Sequence, residues 1–113
     1  MTRLKLLKNR LEQIRGVENF VLVRHDGEVI SHNMNNPGKV ASMVAICGRS
    51  SDLLKEANGF SETNHIILTR KDRRHFLVFC LPRYFFGVQQ IQGTDTQRLA
   101  SSISGVIKEI PRK

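Results

Sequence analysis

The residues that could do chemistry in this chain are few and scattered. Four histidines, His25, His32, His65 and His75, stand singly. A metal site needs imidazoles or thiolates at short, repeated spacings, so no metal is expected here. Cys47 and Cys80 each sit inside an apolar segment and read as buried thiols, not as ligands. Ser50-Ser51 falls within a helical pattern that lacks a glycine elbow, and the sequence has no glycine-rich phosphate loop. No convergent polar pocket can be assembled from these residues, so neither an enzyme nor a cofactor is expected. What remains is charge. Arg70-Lys71-Asp72-Arg73-Arg74 could contact an acidic protein, phosphates or anionic lipid. The plainer reading is a solvated turn whose cations keep neighbouring strands from sticking.

The elements that would position these groups follow from periodicity. Between Arg3 and Arg15, Leu4, Leu7, Leu11 and Ile14 recur at steps of three and four and share one helical face, with Gly16 as a stop. Phe20 to Val23 and Val29-Ile30 flank Asp26-Gly27, a pair that supplies positive φ and marks a tight hairpin. A long helix is expected over 39–58. Val40, Met43, Val44, Cys47 and Leu54 form its main stripe, Ile46, Leu53 and Ala57 form a shoulder, and Ala41, Ala45 and Gly48 form a second line of small residues. Three strands follow, at His65 to Thr69, Phe76 to Leu81 and Tyr84 to Val88, separated by the cationic turn and by Pro82-Arg83. A last helix should start near Thr94, where Thr94 and Gln97 have capping-box spacing, bury Leu99, Ile103, Val106 and Ile110, and end at Pro111.

This order, αββαβββα, gives an α+β fold with five strands. Short turns between strands require antiparallel pairing. Phe20 to Val23, Ile66 to Leu68 and Phe76 to Leu81 are continuously apolar, so helices should cover both faces of the sheet. A chain of 113 residues, 40% hydrophobic and 25% charged, fits one domain over residues 1–113 and excludes a disordered protein. No apolar run approaches the ~20 residues that span a bilayer, and the N-terminus alternates Leu with Arg and Lys, so a cytoplasmic location is expected. A net charge of +8 and a pI near 10.2 favour an acidic partner. Nucleic acid is disfavoured because aromatic residues are not interleaved with the cations; Tyr84 and Phe85, beside Arg83, fit a strand better.

The full element order resembles the roadblock/dynein light-chain family. The local matches are Leu11 to Val17, Val21 to Ile30, the small-residue helix from Ala41 to Leu54, and the strands at Ile66-Ile67-Leu68 and Phe76-Leu77-Val78-Phe79. The resemblance implies a five-stranded antiparallel sheet with the first and last helices on one face and the middle helix on the other. It also implies a homodimer in which middle helices pack together and third strands pair. Ala41, Ala45 and Gly48 would then allow close helix approach, and His65, Ile67 and Thr69 would lie at the strand joint. Family members serve as dynein light chains, as subunits of membrane scaffolds, and in bacteria as stand-alone regulators of a small Ras-like GTPase. The last role is the expected one, with Arg49, Asp52 and Glu56 rimming the partner surface. The alternative is a nucleic-acid or anionic-surface protein using the Arg70 to Arg74 turn, and that turn and the overall basicity are departures from the family pattern.

Overall fold

A computed structural model describes residues 3–58, 65–69, 71–81 and 83–109. The elements are α1 (Arg3–Glu12), β1 (Val17–Arg24), β2 (Val29–His32), α2 (Pro37–Asn58), β3 (His65–Leu68), β4 (Phe76–Cys80), β5 (Tyr84–Gln90) and α3 (Thr96–Glu109). The five strands form one antiparallel sheet in the order β2-β1-β5-β4-β3. The expected fold class and order are therefore what the chain adopts. The side chains of residues 51–58, and Leu4, Arg70, Pro82, Ile110 and Pro111, lie outside the described residues, so the expectations placed on Leu53, Leu54 and Ala57 are not decided.

Because side chains alternate across a strand, each continuous apolar run feeds two cores. Phe20, Leu22, Leu77, Phe79, Phe86 and Val88 join Leu7 and Leu11 of α1 and Leu99, Ile103 and Val106 of α3. On the other face, Val21, Val23, Phe76, Val78 and Phe85 join Ala41, Val44 and Ala45 of α2. Phe20, Phe79, Phe85 and Phe86 are all essentially fully buried. Each contributes roughly 1.5–3 kcal/mol of burial free energy, so the aromatic rows of the central strands are a large part of the core's stability.

The chain reversals are built as their residue types require. Gly27 takes φ +97° in the β1–β2 hairpin, and its N–H donates to the Arg24 carbonyl at 2.8 Å. α1 stops sooner than expected, since Gln13 and Ile14 donate to Arg10 and Leu11 in tightened three-residue turns before Gly16 at φ +105°. α3 begins at Thr96, and its cap is Asp95, not Thr94: Asp95 Oδ1 accepts the Arg98 N–H at 3.1 Å. Thr94 is occupied otherwise, with its methyl group against Gly16 and its carbonyl accepting from Gln90 Nε2 at 3.2 Å.

Candidate functional site

α2 lies over the sheet with two very different sides. Ala41, Val44, Ala45 and Gly48 follow the i, i+3, i+4, i+7 pattern and face the strands; Ala41, Val44 and Ala45 are at most 1% exposed. A Cβ placed on Gly48 would collide with the Phe85 ring, and one on Gly87 of β5 would come within 2.6 Å of Val44 Cγ2. The sheet is bulky here, so the helix must be lean. This corrects the expectation that Ala41, Ala45 and Gly48 form an outward line for a second helix: within the protomer they are already covered by Val21, Val78, Phe76 and Phe85. The small residues do permit close approach, as expected, but to the sheet.

The outward line of α2 is Lys39, Ser42, Ile46 and Arg49, all exposed. Ile46 is 59% exposed, one of two large apolar side chains left that open among the described residues. Met43 and Cys47 flank it, each partly buried against the α2 core. Burial pushes the Cys47 thiol pKa up, which keeps it protonated and unreactive at neutral pH. Arg49 is exposed as expected of a rim residue; Asp52 and Glu56 fall on the same helix, with side chains outside the described residues.

Next to α2 the sheet ends on β3, which pairs with β4 alone among the described strands. Ile66 and Leu68 pack toward α2 and Ile67 toward the α1/α3 core, while Thr69 is exposed. His65 lies against Phe79, with tilted rings whose centroids are 5.4 Å apart, and its buried Nδ1 has no hydrogen-bond partner among the described residues. A hollow of about 610 Å³ opens between the start of α2 and this edge. Val40, Met43, Leu68 and Phe76 supply its apolar wall, and Lys39 and Arg74 its cations. The structure thus puts the expected strand residues on an edge strand, and the start of α2 meets the end of that strand across the hollow.

The other candidates resolve into structural roles. His25 Nε2 lies 3.3 Å from the Leu81 carbonyl, and its ring stacks on Phe85 at 4.1 Å. His32 Nδ1 lies 2.9 Å from the Met34 carbonyl. In the cationic turn, Arg73 adopts φ 63°, Asp72 Oδ1 accepts the Arg74 N–H, and the Arg74 guanidinium pairs with Glu18 of β1 at 2.5 Å. One of the expected contact cations is therefore already neutralised, while Lys71 and Arg73 remain exposed. The turn is also anchored from below by Gln90, which is 1% exposed. Gln90 Nε2 donates to the Arg73 carbonyl at 2.9 Å, and its Oε1 accepts from Thr96 Oγ1 at 2.8 Å. This buried amide escaped the sequence reading, since a glutamine at a strand end looks like ordinary surface.

Compared with solved structures, this arrangement superimposes on the Roadblock/LC7 domain from Streptomyces avermitilis. The TM-score is 0.76 at 14% identity, over 94% of this chain and 92% of that one. The chain has the roadblock fold. The gliding protein MglB from Thermus thermophilus shares it with a TM-score of 0.63 at 13% identity, over 95% of this chain and 89% of that one. A chain of the LokiProfilin2/rabbit actin complex is similar as well, with a TM-score of 0.60 at 12% identity, over 93% of this chain and 92% of that one. No family model matches the sequence, and no curated protein matches it either. One of these similar structures is a complex with a protein partner, actin. Fold alone does not select a partner, which has to be argued from the surface. Among the described residues, no group of three or more His, Cys, Asp or Glu is placed to hold a metal ion, and no helix is long and apolar enough to cross a membrane.

Proposed function

We propose that this chain is a homodimeric, non-catalytic binding module of the cytoplasm that regulates or anchors a small Ras-like GTPase. The observations that carry the reading are an exposed apolar residue on the outer side of α2 and an apolar edge strand. Ile46 beside Met43, together with β3 paired to β4 alone among the described strands, is surface that invites pairing. A two-fold dimer would set Ile46 against its own copy and pair β3 with β3, with the backbones of His65, Ile67 and Thr69 at the joint. Ala41, Ala45 and Gly48 contribute to that interface indirectly, by holding α2 close to the sheet.

The GTPase part of the reading rests on the family resemblance in the sequence together with the roadblock fold. In the dimer, Arg49, Asp52 and Glu56 of both copies would rim the paired helices, a mixed-charge border suited to steering a partner onto an apolar centre. Any effect on GTP hydrolysis would come from shaping the partner's own site. The test is co-purification with a Ras-like GTPase loaded with GDP or with a non-hydrolysable GTP analogue. Nucleotide-dependent retention is expected, and its loss in Ile46→Glu. Absence of retention with either nucleotide would defeat the GTPase assignment and leave the dimer to be judged separately.

A further inference from the structure

On the face opposite α2, the turn after α1, the turn after β5 and the side of α3 enclose a groove of about 780 Å³, a size that suits a bound peptide segment. Its floor is apolar, built from Ile14, Ile91 and Leu99. Ile91 is 48% exposed and is the second of the two open large apolar side chains among the described residues. The α3 wall is low because it is made of Ser101, Ser102 and Gly105, and a Cβ on Gly105 would meet none of the described residues within 4 Å. The trough is held open by its own backbone: Ile91 N–H donates to the Gly16 carbonyl at 2.8 Å, fixing one turn against the other.

The charges around the groove favour an anionic ligand. Arg24 is paired with Asp26 and Glu28, and Arg74 with Glu18. Arg15 and Arg98, which line the groove, have no ion pair among the described residues. Asp95, the one acidic residue lining it, is engaged in capping α3. Uncompensated guanidinium groups beside an apolar trough select a ligand that carries carboxylates next to apolar side chains. A flat bilayer would meet the ridges of such a surface and not its floor. A nucleic-acid backbone would use the arginines and leave the floor bare.

We propose that this groove is a docking site for an acidic peptide segment of a partner protein, with an apolar side chain seated over Ile91 and Leu99 and carboxylates on Arg15 and Arg98. The inference is independent of the dimer and of the GTPase reading.

The test uses the full chain and a fluorescein-labelled dodecapeptide repeating Glu-Leu-Glu, followed by fluorescence anisotropy. Saturable binding is expected in dilute salt. Arg15→Glu with Arg98→Glu should weaken it by about tenfold or more, and an all-glutamate peptide should bind weaker than the leucine-bearing one by a similar factor. The decisive variant is Gly105→Leu, which fills the trough without changing charge. Its Cβ meets no described residue within 4 Å and leucine is the better helix former, so thermal unfolding at or above that of the parent should accompany loss of binding. Ile46→Glu should leave peptide binding unchanged. Failure to bind the peptide overturns the proposal. So does binding that ignores Gly105→Leu, and so does binding to phosphatidylserine vesicles or duplex DNA that matches the peptide and depends on the arginines alone.

Discussion

Gly48 and Gly105 both interrupt long helices, on opposite faces of one sheet, and they do so for opposite reasons. At Gly48 there is no room for a side chain, because Phe85 is buried beneath it and is pinned from another side by the stacked His25 ring. At Gly105 a Cβ would meet none of the described residues within 4 Å. The α2 layer is thus packed to contact by trimming the helix to Ala and Gly, whereas the α1/α3 layer meets the sheet with Leu, Ile and Val and leaves a trough on its outside. Glycine in a helix is a cost in both places. On the α2 face that cost yields dense packing, and on the α3 face it yields an open groove.

The largest effect that could break this contrast is Gly48→Leu. The buried Phe85 ring has no space to retreat into, so the protomer should lose about 3 kcal/mol or more, read as a lower urea midpoint. A variant that kept the parent's stability and merely changed association would return Gly48 to the role of a helix–helix contact. On the other face, Gln90→Leu should cost about 1–3 kcal/mol by stranding the Arg73 carbonyl and Thr96 Oγ1, again by urea unfolding. Gly105→Ala should go the other way and stabilise by roughly 0.5–1 kcal/mol, raising the midpoint. Destabilisation there would mean that α3 is packed where the structure shows it open.

The smallest effect concerns the exposed hairpin tip. Arg24 and the Glu28 N–H hold the Asp26 carboxylate down to about 2, from an ordinary value of 3.8. A group depressed in the folded state adds stability that is present above its unfolded pKa and fades as pH falls toward the folded value. Asp26→Asn should therefore lower the melting temperature slightly at neutral pH, by a margin that shrinks as pH falls through about 2. Solvent exposure of the pair keeps the difference small. An Asn variant indistinguishable from the parent at every pH would show that the ion pair contributes nothing.

The order of elements was legible because apolar runs, an Asp-Gly turn and two amphipathic helices each state their own period. Coverage of both sheet faces could also be read, since Phe76 to Cys80 has no polar side. On α2, Val40, Met43, Val44 and Cys47 pack on the core as their stripe predicts, but that Ala41, Ala45 and Gly48 share that side could not be read. Small residues on a helix suggest a neighbouring helix, and here the volume opposite them is supplied by Phe76 and Phe85 from strands far off in sequence. The cap of α3 was a contest between neighbours, Thr94 and Asp95, settled by the pull of Gln90 and Gly16 on Thr94. The groove was invisible for a related reason: Ile14, Ile91 and Leu99 meet only after the two turns are tied together. Ile46 was read as part of an apolar shoulder, and its isolation among Ser42 and Arg49 became meaningful once the inward line was known.

The most direct test of the account is sedimentation of the parent chain and Ile46→Glu across micromolar concentrations. Each substitution enters a two-fold interface twice, so the variant should remain folded by circular dichroism while self-association weakens by about a hundredfold or more. A parent chain that stays monomeric throughout that range, or a variant that dimerises as well as the parent, would contradict the assignment of the outer side of α2 as the surface through which this protein works.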